Sequence, residues 1–355
     1  MEKNFHYHVT YTAAVLAGFS TDDALVIARA AQYVDDCNGE TIQNTSTIAW
    51  ANLLDTIPGR NQEIQDLLNI WPVFHFLPGD FSAVSADVDP QLLASRKPHI
   101  SLAPPLICKT ESKMTKAIVH GAKKYYQMKN VDHIKQLQRI GIVMHVLADT
   151  YAHQNFAGIP LSLVNEVTHV RQGISSSNLR MRPYIYSPAG FSRSSFGYLG
   201  HGRMGHLPDR PGETFVYIAA WQNPAGDRFI SRYNPLEFYC AFLQMKEAME
   251  FILDDNCNDF PNKIDRAPLL NAKSDGQWDT VFPFLKAFEE AGTDEGLPGP
   301  WYGVIRTVEQ PQDYVPYDPE TESALYRNFL AAAHNHQTLV IRSCKPLRDY
   351  QRLFS

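Results

Sequence analysis

The run His145-Val-Leu-Ala-Asp149-Thr-Tyr-Ala-His153 decides how this chain is read. At 3.6 residues per turn, positions four apart stack along one side of a helix, so His145, Asp149 and His153 share a stripe. The flanks are apolar (Ile140, Ile142, Val143, Met144, Val146, Leu147, Phe156), which predicts a buried helix. Burial of a neutral polar group without a partner costs roughly 2–7 kcal/mol. Two imidazoles and a carboxylate in line are ligand types for Zn²⁺ and related ions, and one ion satisfies all three. Hydrogen-bonded core histidines are the plainer alternative.

The remaining histidines favour the metal. Thirteen are present, and most fall into short groups that stand near acids or glycines. The groups are His6 with His8, His75 ahead of Pro78-Gly79-Asp80, His201 with His206, and His334 with His336; Asp35 and Asp36 form a separate acidic pair. Such elements, each donating one or two ligands, are the sequence pattern of a multinuclear site. The loop Gly200-His201-Gly-Arg203-Met-Gly205-His206-Leu-Pro-Asp209 is the second-strongest signal. Its glycines let backbone approach a ligand closely. Arg203 and Arg210 are candidate anion clamps, since a guanidinium bonds phosphate or carboxylate in a bidentate fashion. Asp80 and Asp209 each close a Pro-containing element and are candidates for ligand, orienting partner or general base. His334 and His336, two apart on a helix, diverge by about 200° and are left out of the metal set.

The H-x3-D-x3-H helix followed by Gln154-Asn155-Phe156 resembles the central motif of the zinc-dependent bacterial phospholipases C, whose helical fold also serves single-strand-specific nucleases. The resemblance implies a mainly α, multi-helix bundle with long irregular insertions. It implies two or three zinc ions and cleavage of phosphodiester bonds. In that family the first His and the Asp bind zinc and a later His binds another, which maps onto His145, Asp149 and His153. His75-Phe76 is similar to an earlier ligand element, and Asp35 or Asp36 to an upstream Asp. The chain looks closer still to a group of uncharacterised bacterial proteins that begin with a Phe-His-Tyr run and carry a Gly-His-x-Pro-Asp element. It departs from the phospholipases at two places. Their terminal Trp, exposed by signal-peptide removal, is replaced by Met-Glu-Lys-Asn-Phe-His-Tyr-His, where His6 and His8 are the substitute ligands. Their H-x3-E helix has no counterpart after His153, and His201, His206 and Asp209 are the nearest substitutes.

Composition sets outer limits. With 355 residues and 44% hydrophobic content, the chain can bury a large core, read as one elaborated helical domain over 1–355. A net charge of −6 argues against a general nucleic-acid-binding surface. No window reaches the about 18 apolar residues of a membrane span. Five widely spaced cysteines without a C-x2-C pair read as reduced thiols; together with the absence of a signal peptide they predict a cytoplasmic protein.

Helices are expected over Phe5–Leu16 (stopped by Gly18), from the N-cap Ser20 to about Cys37, and at about 111–129, 131–157, 234–254, 279–291 and 320–342. Asp35 and Asp36 then sit at a helix C-terminus, where the dipole disfavours them and a ligand role explains them better. Residues 40–57 are ambiguous between loop and strand, and 72–110 form a Pro-rich irregular excursion. Residues 158–232, rich in Gly, Ser, Arg and Tyr, read as an ordered insertion over the metal site. Residues 293–319 read as a surface excursion.

Together these readings describe a metal-dependent hydrolase acting on a phosphoester. Zinc is the first choice of metal and iron the second, Asp36 or Asp80 steers water, and Arg203 stabilises charge. The alternatives are an iron-dependent oxidative or amide-hydrolysing enzyme on the same helices, and a non-catalytic metal-binding protein.

Overall fold

A computed structural model describes residues 1–37, 68–79, 104–159, 162–173, 182–183, 199–219, 229–266 and 308–352. The described chain opens with a π-helical turn, Phe5–Val9, that runs directly into α1 (Thr10–Ala17). Gly18, at φ 106°, stops it in the left-handed conformation that glycine adopts freely. Ser20 caps α2 (Thr21–Asp36) by accepting from the Asp23 amide, and Asp22 and Asp23 lie in its first turn. A second π-helical turn, Trp71–His75, precedes α3 (Lys113–Tyr126) and α4 (His133–Ala152). Ser112 and Asp132 cap α3 and α4. After a short α5 (Ser162–Asn165) come the strands β1 (Val167–Gly173), β2 (Arg182–Pro183), β3 (Thr214–Ala219) and β4 (Ile230–Tyr233). Helices α6 (Asn234–Leu253), α7 (Ser323–Ser343) and α8 (Lys345–Gln351) complete the order.

The architecture is mainly α, as expected. Helix α4 is its axis: every residue from Gln136 to Ala152 is buried, and α2, α3, α6 and α7 pack around it. Leu137, Ile140, Ile142, Val143, Val146 and Leu147 are wholly buried. Each such side chain contributes about 1.5–3 kcal/mol relative to exposure. The α2–α4 crossing is close because Gly141 has no side chain. A Cβ there would stand 2.2 Å from the Ile27 carbonyl oxygen and 2.8 Å from the Ala30 Cβ. That close approach, one turn before His145, brings the end of α2 and Asp35 up to the histidine.

The four strands, absent from the helical expectation, form an antiparallel sheet in the order β2-β1-β3-β4. They lie between Val167 and Tyr233. The inner face of the sheet reaches the centre through Phe156, stacked on Tyr217 at 5.7 Å. The described part of the 293–319 excursion, from 308 onward, runs without helix or strand over α1 and α2. Arg29 holds it by donating to the Val315 and Pro316 carbonyls and pairing with Glu322. The 40–57 segment and the 279–291 helix lie outside the described residues. All five cysteines are free thiols, four of them buried. Among the described residues no helix is long and apolar enough to cross a membrane.

Candidate metal centre

Four chain segments meet at the C-terminal end of α4. Cys108 donates its amide to the Phe156 carbonyl and Asn155 donates to the Cys108 carbonyl, which ties the end of α4 to the 107–108 segment. Gly79 donates to the Ile107 carbonyl, which anchors the residues after His75 to the same segment. Gly200 donates to the Ala157 carbonyl and seats the His201 loop. At Gly200 (φ 55°) a Cβ would collide with the Phe76 ring at 2.1 Å, so only glycine fits there. The Phe76 ring in turn stacks on His153 at 4.4 Å.

Around this junction the donors sort into two groups. The helix-built group joins His145 and Asp149 of α4, His75 of the second π-helical turn and Asp35 of α2. His145 Nε2 lies 3.4 Å from His75 Nδ1 and 3.3 Å from Asp149 Oδ2, and His75 Nδ1 lies 3.2 Å from Asp149 Oδ2. Asp35 Oδ1 stands 3.8 Å from His75 Nδ1 and 3.7 Å from His145 Nε2. Four ligands placed tetrahedrally at zinc bond lengths of about 2.0–2.1 Å stand about 3.3–3.4 Å apart. His75, His145 and Asp149 already have that spacing, with Asp35 somewhat further from the two histidines. The other oxygens of both acids face His6: Asp149 Oδ1 at 3.2 Å and Asp35 Oδ2 at 3.9 Å. Both carboxylates are thus placed to bridge. The His6 ring stacks on His145 at 3.9 Å, and among the described residues both buried nitrogens of His6 lack a hydrogen-bond partner, as does His145 Nδ1. Such orphaned nitrogens fit a cation ligand set better than a satisfied core. The Met1 amine lies 2.8 Å from Asp149 Oδ1 and 3.5 Å from Asp209 Oδ1, between the two groups.

The loop-built group comprises His153, His201 and Asp209. His153 Nδ1 donates to the His75 carbonyl at 2.6 Å, and His201 Nδ1 donates to the Gly205 carbonyl at 2.9 Å. Each ring therefore turns its Nε2 to one carboxylate: His153 to Asp209 Oδ1 at 3.0 Å and His201 to Asp209 Oδ2 at 3.4 Å. A metal-bound histidine characteristically gives its other N–H to a carbonyl or carboxylate in this way.

Electrostatics keep the acids ionised. Burial alone would raise the Asp149 carboxyl, but His153, the Met1 amine and His145 hold it well below its ordinary value. Burial acts likewise on Asp209, and His201 with the Met1 amine overrides it. Burial, then neighbouring His145 and the Met1 amine, lower His6 to about 4. His145 is raised: burial opposes protonation there, but Asp149 and Asp35 outweigh it. Deprotonated carboxylates and a neutral imidazole at His6 are the forms that bind divalent cations.

The structure therefore brings together His6, Asp35, His75, His145, Asp149, His153, His201 and Asp209, and separates the others. The stripe of the central motif is split, because α4 ends at Ala152 and His153 serves as its cap, turning toward Asp209. His8 faces Gln310 at 3.3 Å. Asp36 points along α2 to Gln32. His206 is 76% exposed and stands 4.0 Å from Asp209. These three lie outside the donor groups. Arg203 pairs with Glu166 at 3.3 Å rather than standing free as a clamp. Asp80 lies outside the described residues. Sequence reasoning missed Arg232 and Asn234, which support both sides of the loop-built group; Asn234-Pro235 reads simply as a helix start. His336, left out of the metal set, donates Nε2–H to the Val73 carbonyl and so braces the turn that carries His75.

No curated protein and no solved structure matches this chain. One family does, over residues 1–344, and the chain belongs to it: the family of unknown function DUF6765.

Proposed function

We propose that this protein is a metal-dependent hydrolase that uses a multinuclear His/Asp centre to activate water against a phosphoester, with a phosphodiester as the first substrate to test. One observation carries the reading. Two imidazoles, His153 buried and His201 half-buried, each with Nδ1–H already given to a carbonyl, aim Nε2 at the same Asp209 carboxylate. The His153 ring, whose protonated form burial disfavours, has only a lone pair to offer there, so a cation shared with Asp209 is the natural occupant. The close mutual spacing of His75, His145 and Asp149, with Asp35 beside the two histidines, supports a second ion nearby, and zinc fits donors of this kind.

When bound, such ions supply Lewis acidity and a water that ionises near neutral pH. The chain's own residues do the rest. Asp149 and Asp35 hold one oxygen toward each side of the helix-built group and fix its spacing. The Phe76 ring stacked on His153 fixes the orientation of that imidazole and shields it from bulk water. Asp35 is the most exposed of the three donor acids, at 30%.

A second reading follows from the donor set, which holds imidazoles and carboxylates but no thiolate among the described residues. That set suits iron as well as zinc, and with iron the scaffold fits oxidative chemistry. The test is elemental analysis of protein purified without added metal or chelator, beside His145→Ala and Asp149→Ala, followed by turnover of a chromogenic phosphodiester. Zinc that is lost in both variants, with turnover abolished by chelator and restored by zinc, is expected. Stoichiometric iron without hydrolysis transfers the site to the second reading. A well-folded, metal-free protein that takes up no divalent ion overturns both.

A further inference from the structure

We propose that Arg232 and Asn234 are positioning residues that set the geometry of the loop-built donor group, and that this group takes up its ion separately from the helix-built one. The inference rests on the metal reading above. Arg232 is the third residue of β4 and Asn234 opens α6; they are 3% and 0% exposed. The Arg232 guanidinium lies against the end of α4, where Nη2 donates to the Tyr151 carbonyl at 2.8 Å and Nη1 to the Ala152 carbonyl at 3.4 Å. Those carbonyls sit between Asp149 and His153. Nη2 also donates to Asn234 Oδ1 at 3.2 Å. The amide of Asn234 then reaches the other side: Nδ2 donates to the carbonyls of Leu207 and Arg210, each at 2.8 Å, with a longer contact to Pro208 at 3.4 Å. These three carbonyls surround Asp209.

A continuous hydrogen-bonded link therefore runs from the α4 end that presents His153, through Arg232 and Asn234, to the turn that presents Asp209. The Asn234 amide nitrogen has two N–H groups, and both are spent on that turn. The buried position has no packing need for an amide, since an aliphatic side chain of similar size fills a core at lower desolvation cost. Its polarity is explained by what it holds. A metal shell tolerates ligand displacements of only about 0.2 Å. Release of the turn would let Asp209 drift from His153 by more than that. Asn234 itself bonds only Arg232 and the 207–210 turn, whereas the donors of the helix-built group come from α2, α4 and the second π-helical turn.

The test is titration of Co²⁺ into metal-free wild-type protein and Asn234→Ala, following both binding and the Co²⁺ absorption bands, with circular dichroism to verify the fold. Loss of outer hydrogen-bond partners typically weakens metal affinity about 10–100-fold. We expect that loss for one Co²⁺ equivalent in the variant, while the remaining equivalent keeps its wild-type affinity and spectrum. His145→Ala should give the complementary pattern. Asn234→Ser keeps one donor to the turn; it is expected to recover part of the affinity and serves if the alanine variant does not fold. Wild-type affinity and spectrum in a folded Asn234 variant would overturn the clamp and leave the metal reading intact. Wild-type protein that binds no Co²⁺ would overturn the metal reading, and the clamp with it.

Discussion

His153 holds its Nε2 3.0 Å from Asp209 Oδ1 while its Nδ1–H is already committed to the His75 carbonyl. Burial lowers its pKa, despite the pull of Asp149, so a proton is a poor occupant of that gap. Divalent zinc added to metal-free protein should therefore raise its melting temperature. Saturation at 100 times Kd adds about 2.7 kcal/mol per site. The gain should shrink in His153→Ala and vanish with chelator; calorimetry with no zinc-dependent shift would contradict the assignment.

Acid should act on the metal-free protein through its buried histidines. His6, lowered to about 4 by burial first and by neighbouring His145, binds fewer protons folded than unfolded from about pH 6.5 down to about 4. Buried His336 is lowered further, by burial first and then by Arg139. Stability from these groups is present above about pH 6.5 and is lost as pH falls toward their folded values. His145 and His201 are raised and act oppositely, since their contribution is present at low pH and lost as pH rises through their folded values. Glu2, raised to about 7 by burial, also gains stability as pH falls over this range, so the informative quantity is a difference: between about pH 6.5 and 4 the denaturant midpoint of His6→Gln should fall less than that of the wild type.

Gly141→Val should separate α2 from α4. The added side chain meets the Ile27 carbonyl and Ala30, and overpacking of this kind costs about 1–3 kcal/mol. Urea denaturation reads the loss. Because Asp35 rides on α2, zinc affinity should fall as well, although no ligand has changed.

Lys123 tests stability away from the centre. Its buried ammonium donates to the Phe251, Asp254 and Cys257 carbonyls and so caps the end of α6. Lys123→Met leaves those carbonyls without their charged donor and should cost about 2–3 kcal/mol. Zinc content per folded chain should stay at the wild-type level, as elemental analysis will show.

His206→Ala and Asp36→Ala should alter neither metal content nor hydrolysis, and should shift stability by no more than about 0.5 kcal/mol, because both are surface changes outside the donor groups. Loss of an ion in either variant would redraw the centre.

Helix α4 and its capped neighbours were legible because apolar periodicity and N-cap residues act locally. His145 and Asp149 were legible for the same reason, standing one turn apart inside that helix. His153 stood out as a donor by the same spacing, but its turn toward Asp209 was not legible, because the helix ends one residue before it and the direction of a capping side chain is set by the loops it meets. Asp35 and Asp36 differ by about 100° on one helix, and the dipole argument applies equally to both. The choice between His6 and His8 depends on a π-helical turn, a rare geometry that recurs at functional sites and leaves no compositional mark. The sheet was missed because β1 is largely exposed and its sequence, VTHVRQG, lacks clean alternation.

The order in which the donors occur along the chain gives the centre a history as well as a shape. Every member of the helix-built group has been synthesised once residue 149 is made, whereas the loop-built group must wait for Asp209. Both depend on contacts between residues far apart in sequence, which form late and slowly. On the proposed metal reading, ion uptake is an act of maturation that follows collapse of the core around α4, and a cell short of metal should accumulate a folded precursor rather than an unfolded chain.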